Sequence, residues 1–172
     1  MSAMTKTVKP LVALLVLLSV GEGRLFTAET AAPGITSVPP PYPQFGRVER
    51  LDPALDAVLA PAAAMVKLAE GFGWAEGPVW MPRQNRLVLS DIPKNVADQW
   101  QDGAGVKVFL QPSGDTGVVP SELGEGSNGL ALDRTGRLLL CQHGDRRIAR
   151  LNEDGRTFTT VAGYFEGRRF NS

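Results

Sequence analysis

Two stretches of the chain repeat the same pattern 52 residues apart, and this limits the fold more than any other feature. The first unit reads Gly77-Pro78-Val79-Trp80, a turn at Arg83-Gln84-Asn85, and Arg86-Leu87-Val88-Leu89-Ser90-Asp91. It runs on through Gln99-Trp100 and a turn at Asp102-Gly103 to Val106-Lys107-Val108-Phe109-Leu110. The second reads Gly129-Leu130-Ala131-Leu132, a turn at Arg134-Thr135-Gly136, and Arg137-Leu138-Leu139-Leu140-Cys141. It continues through Arg147-Ile148-Ala149-Arg150-Leu151 and a turn at Asp154-Gly155 to Thr157-Phe158-Thr159-Thr160-Val161-Ala162. Short apolar runs broken by Gly, Asp and Asn are strands joined by tight turns.

Four strands per unit at a period of about 50 residues is the pattern of a β-propeller with one unit per blade. Two similar meanders of a sandwich or barrel are the alternative. Strand order favours the propeller, because the strongest apolar run, Leu138-Leu139-Leu140, falls second, where a strand is buried on both faces. The expected fold class is therefore all-β, about two blades of a six-bladed propeller, preceded by a leader and a short helix. Propellers have four to eight blades and stacked repeats generally need at least three units. Two units that stop at Ser172 thus read as the N-terminal part of a larger propeller. Such a piece would leave apolar sheet faces and open strand edges in water, and those edges allow self-association.

The chain ahead of the repeats reads differently. Lys6 and Lys9 precede the apolar run Leu11–Val20, followed by Gly21-Glu22-Gly23, the pattern of an export signal over residues 1–23. Cleavage after Gly21 or after Gly23 fits equally, and the run is shorter than the roughly 20 residues of a membrane span. The mature protein is expected in the periplasm or outside the cell, with no membrane span once the signal is removed. Residues 24–49 read as a linker, with Pro33, Pro39, Pro40, Pro41 and Pro43 making an extended spacer. Asp52-Pro53 supplies an N-cap and a first-turn proline for a short packing helix, with Leu55, Val58 and Leu59 on one face and Pro61 ending it. The propeller portion is then 50–172.

Composition closes off several functions. Eighteen Lys and Arg balance 18 Asp and Glu, so no basic surface is available for nucleic acid. A lone cysteine excludes an internal disulfide framework and any Cys-rich zinc site. Cys141 reads as a small buried apolar residue, and Arg146-Arg147 as a surface feature.

Three residues could carry chemistry. Glu76 opens an inner strand, where a carboxylate points into the channel and can hold a metal, or is a solvated loop glutamate. Asn128 opens the equivalent strand of the second unit, suited to bind a substrate hydroxyl or to cap a turn. His143, the single histidine, follows an apolar strand and precedes a turn. With no nucleophile partner it is no triad member, which leaves a hydrogen-bonding role at the channel mouth or a structural one.

Glu76-Gly77-Pro78-Val79-Trp80, Ser90-Asp91-Ile92-Pro93 with Asn95, and Ser127-Asn128-Gly129-Leu130-Ala131-Leu132-Asp133 closely resemble the gluconolactonase, senescence-marker and luciferin-regenerating family. Gly136 to Arg147 and Tyr164 to Ser172 extend the likeness, which covers residues 50–172 and is strongest to the bacterial gluconolactonases. The resemblance implies a six-bladed propeller holding a divalent metal in its channel, commonly calcium, in some members zinc, magnesium or manganese. It implies hydrolysis of sugar lactones and related cyclic esters, the metal polarising the carbonyl and helping activate a water. Glu76 matches the first metal ligand; the other ligands come from later blades. The motif begun at Arg169-Phe170-Asn171-Ser172 normally continues through Pro-Asn-Asp, whose asparagine lines the channel, so Asn171 does not take that role. One carboxylate cannot hold a cation that takes about six to eight oxygens. The 172 residues alone are expected to be inactive, and a non-catalytic sugar-binding or interaction propeller module is the alternative function.

Overall fold

The structure, a computed structural model, describes residues 32–120 and 124–171. The expected export signal and the first residues of the linker lie outside the described residues. Twelve strands follow one another among the described residues. They are β1 Thr36–Ser37, β2 Ala69–Glu70, β3 Ala75–Met81, β4 Arg86–Asp91, β5 Val96–Gln101 and β6 Gly105–Leu110, then β7 Ser127–Leu132, β8 Leu138–Gln142, β9 Arg147–Leu151, β10 Phe158–Ala162, β11 Tyr164–Phe165 and β12 Arg168–Arg169. Each repeat is one four-stranded antiparallel meander, β3-β4-β5-β6 and β7-β8-β9-β10, so strand order follows chain order.

Local chemistry sets the hairpins. Asp133 Oδ1 accepts from the Thr135 and Arg137 amides, and Gly136 at φ 82° closes the β7–β8 turn. The Thr135 hydroxyl and then the Arg137 amide hold the Asp133 carboxyl well below the usual range. Asp154 Oδ1 does the same for the Arg156 and Thr157 amides between β9 and β10.

Period-two alternation divides the apolar residues between two layers. Val88, Ala97 and Leu110 of the first sheet meet Leu138, Leu140 and Leu151 of the second, with Met81 beside them. Leu89, Trp100 and Val106 point the opposite way, onto Ala32, Leu68, Ala69 and Phe72. Strand β4 is thus buried on both faces, as an inner strand requires, and each fully buried Leu or Val contributes roughly 2 kcal/mol. In β8 the burial is one-sided. Leu138 and Leu140 are enclosed, Leu139 is half-buried, and Cys141 is exposed rather than the buried residue its type predicts. Alternation sends Leu139 and Cys141 to the face of the second sheet opposite the first.

Two expectations for the N-terminal segment change. The proline-rich stretch is extended, but it runs antiparallel to residues 65–70 and is fastened to them. Val38 N donates to Leu68 O at 2.8 Å, Lys67 N to Pro43 O at 3.0 Å and Phe45 N to Met65 O at 3.1 Å, beyond the β1–β2 pair. Tyr42 sets its ring edge-on to Trp100 at 5.7 Å and donates to Asp102 Oδ1. The expected packing helix is a single 3-10 turn, Pro53–Ala57, capped by Asp52 Oδ1 on the Ala54 amide at 2.7 Å. It buries no residue, and Val58 lies 70% exposed. Within its five residues the stacked i, i+3 pairs are Pro53 with Asp56 and Ala54 with Ala57, so no broad apolar stripe is available to pack. No helix among the described residues is long and apolar enough to cross a membrane.

Candidate active site where the inner strands meet

The first strands of the two sheets, β3 and β7, lie side by side. Gly77 permits the approach: at φ 54°, a Cβ there would stand 2.5 Å from Asn128 O and 2.8 Å from Leu130 N. Both strands carry a register irregularity at this point, between Glu76 and Val79 and between Ser127 and Leu130. Such bulges re-aim side chains at the end of a strand. Ser90 Oγ fixes the junction, 2.8 Å from Ser127 Oγ and donating to Asn128 O at 2.8 Å.

Glu76 is exposed at the start of β3, and Asn128 half-buried at the equivalent place in β7. His143 reaches the same end from the corner between β8 and β9. Its Nδ1 lies 3.2 Å from Asn128 Nδ2 and its Nε2 2.8 Å from Glu125 Oε2. A cavity of about 280 Å³ opens here, lined by Asn128, Cys141, His143, Ile148, Phe170 and Asn171 among others. Sequence reasoning placed Asn128 and His143 but missed Glu125, which lies three residues before Asn128 and looks like one more loop acid.

The loop between the sheets is held from both sides. Asn95 Oδ1 accepts from the Ser113, Gly114 and Asp115 amides at 3.1, 2.9 and 3.1 Å. From the second sheet, Gln142 Nε2 donates to Ser113 O, and Asp145 Oδ1 accepts from the Thr116 and Val118 amides. Arg147 is buried at 8% exposure, not the surface residue its type predicts. Its guanidinium donates to Gln142 Oε1 at 2.6 Å, Thr160 Oγ1 at 2.8 Å and Asp145 Oδ2 at 3.0 Å, so charge and fork geometry are matched. In the first sheet Asp91 holds the approach to β3, accepting from the Gly73 and Trp74 amides at 3.0 Å and pairing with Lys94.

Asp98 is different. It is fully buried in β5, and neither carboxylate oxygen has a hydrogen-bond partner. Burial, then the nearby Asp91 charge, pushes its carboxyl up to about 7 against the opposing pull of Lys94.

Metal-ligating residues do not gather at the site. Among the described residues no group of three or more His, Cys, Asp or Glu is placed to hold an ion. Glu76 with Asn128 and His143 therefore does not by itself fit the divalent cation that the resemblance implies.

Residues 74–171 match the family model described as the SMP-30/Gluconolactonase/LRE-like region. The chain belongs to that family. A gluconolactonase of Zymomonas mobilis subsp. mobilis (strain ATCC 31821 / ZM4 / CP4) is 35% identical over 129 residues, which is 74% of this chain and 36% of that protein. The chain thus spans about a third of that relative's length. Two solved structures are similar, each at 32% identity. One, a gluconolactonase-family protein, shares 58% of this chain and 30% of its own, with a TM-score of 0.48. The other, gluconolactonase XC5397 of Xanthomonas campestris, shares 56% and 28%, with a TM-score of 0.47. For this SMP-30/gluconolactonase family member, the matched segment takes in both sheets and every residue of the candidate site.

Proposed function

We propose that this family member, at the length of its relatives, hydrolyses a sugar lactone or a related cyclic ester. The observation that carries the reading is the junction at Gly77, where the inner strands of two successive repeats open side by side with Glu76 on one and Asn128 on the other. Family membership and 35% identity to a gluconolactonase support the substrate class. In this reading the two sheets are the first blades of a six-bladed propeller, and the cavity at Asn128 and His143 is part of its channel. Asn128 and His143 supply hydrogen bonds to a hydroxylated ring.

Glu76 is proposed as one ligand of a divalent ion, calcium first, whose remaining ligands lie outside these 172 residues. The residues in hand do not complete that site, so the 172 residues alone are proposed to be inactive. The basic start and apolar run at Leu11–Val20 support export and action outside the cytoplasm.

The test is acid release from D-glucono-1,5-lactone followed at constant pH, with calorimetric titration of calcium. The full-length protein is expected to turn over the lactone and bind the ion, and the 172-residue chain to do neither. Turnover by the 172-residue chain overturns the missing-ligand argument. Absence of turnover by a folded full-length protein that binds sugars favours the non-catalytic propeller instead.

A further inference from the structure

Glu125, His143 and Asn128 form a chain of hydrogen bonds whose direction follows from the donors and acceptors of a neutral imidazole. A carboxylate only accepts, so His143 Nε2, 2.8 Å from Glu125 Oε2, must carry the proton. In the neutral ring Nδ1 is then an acceptor. A group 3.2 Å from it must donate, and on Asn128 that is the Nδ2 amide. With its amide nitrogen engaged, Asn128 has one orientation left, in which Oδ1 is the remaining polar atom of a side chain that lines the cavity of about 280 Å³ and accepts from no donor among the described residues. The His143 amide bonds Gly126 O at 3.3 Å, which ties the ring's own strand corner to the loop carrying Glu125.

We propose that Glu125 and His143 act as a positioning pair that sets the Asn128 carboxamide, so that the cavity presents an acceptor and takes a hydroxyl donor of a cyclic polyol. This inference deepens the lactone reading and rests on it for the ligand class; the positioning itself does not depend on turnover. Neither Glu125 nor His143 is a catalytic residue in it, since both act through Asn128. Orienting partners of this kind fix both the tautomer and the angle of an imidazole.

His143 is the only histidine of these 172 residues, and in the full-length natural protein its ring nitrogens are identified in a nitrogen-15 spectrum by their loss in His143→Gln. The wild type is expected to show one tautomer, protonated at Nε2. Glu125→Ala should release it into a mixture, whereas Glu125→Gln, whose Oε1 still accepts, should keep it. In parallel, 1,5-anhydroglucitol, a ring polyol that cannot hydrolyse, is titrated by calorimetry. Glu125→Ala should weaken its binding roughly threefold to tenfold, with Glu125→Gln close to wild type.

A mixed tautomer in the wild type, or one that Glu125→Ala leaves unchanged, overturns the pairing. A locked tautomer with polyol binding indifferent to Glu125→Ala overturns the positioning role. A locked tautomer in a protein that binds no polyol overturns the ligand class while leaving the pairing standing, and the lactone reading is then decided by turnover alone.

Discussion

Asn95 and Arg146 stand 51 residues apart in the chain and occupy the same left-handed corner of their two sheets, at φ 55° and 54°. Each amide donates back to the carbonyl three residues earlier, Asn95 to Ile92 and Arg146 to His143, both at 3.1 Å. The backbone has kept the repeat where the side chains have diverged. Asn95 binds three amides of the intersheet loop, while Arg146 Nε donates once, to Phe170 O.

That divergence predicts unequal sensitivities. Asn95→Ala strands three backbone donors and is expected to lower stability by about 3 kcal/mol, against about 1 kcal/mol for Arg146→Ala. Urea unfolding of both variants measures this, and equal losses would show that the Asn95 bonds are replaced by solvent.

Gly77→Ala places a methyl against the backbone of Asn128 and Leu130 at a positive φ. Backbone cannot step aside as a flexible side chain can, so a loss of roughly 3 kcal/mol is expected. A change under about 1 kcal/mol in the same experiment would mean that β3 and β7 are not in contact in solution.

Asp98 makes stability fall as pH rises. Its carboxyl titrates at about 7 in the folded chain and near 4 when unfolded, so the folded state binds the proton more tightly. The burden is absent below about pH 4, grows up to about pH 7 and is complete above it, about 4 kcal/mol at 1.36 kcal/mol per unit. Asp98→Asn should raise stability at pH 8 and flatten the profile between these limits. A variant profile parallel to the wild type's would assign the effect to another group.

Glu76→Gln separates function from fold. Glu76 is exposed, so the substitution should leave the melting temperature within about 1 °C. In the full-length protein calcium affinity is expected to drop at least tenfold, read by calorimetry. An unchanged isotherm removes Glu76 from the ligand set.

The repeat made both sheets legible because hairpin chemistry is local. Asp133, Asp154 and the turn glycines act on amides two to four residues away, and alternation assigns each strand's faces. What escaped depends on contacts that only the folded sheets bring together. Nothing in Pro39-Pro40-Pro41 announces a ladder with residues 65–70, and Arg147 looks like any surface arginine until Asp145, Gln142 and Thr160 converge on it. Cys141 is exposed against the preference of its residue type because it stands on the open side of β8. Glu125 gives no signal in the sequence, because positions 125, 128 and 143 meet only through the corner that follows β8.

The loop between the sheets has one more consequence, for how such a chain could be rebuilt. Its clasp draws on Asn95 from one repeat and on Gln142 and Asp145 from the other, and the counterparts of those last two, 51 residues earlier, are Asp91 and Lys94. The clasp is therefore asymmetric, although the sheets it joins are alike. Two copies of the first repeat in tandem would put a lysine where the loop amides need a carboxylate, and two copies of the second would put an arginine where they need an amide oxygen. The repeats have ceased to be interchangeable parts, and duplication or shuffling of either would have to rebuild the joint as well as the blade.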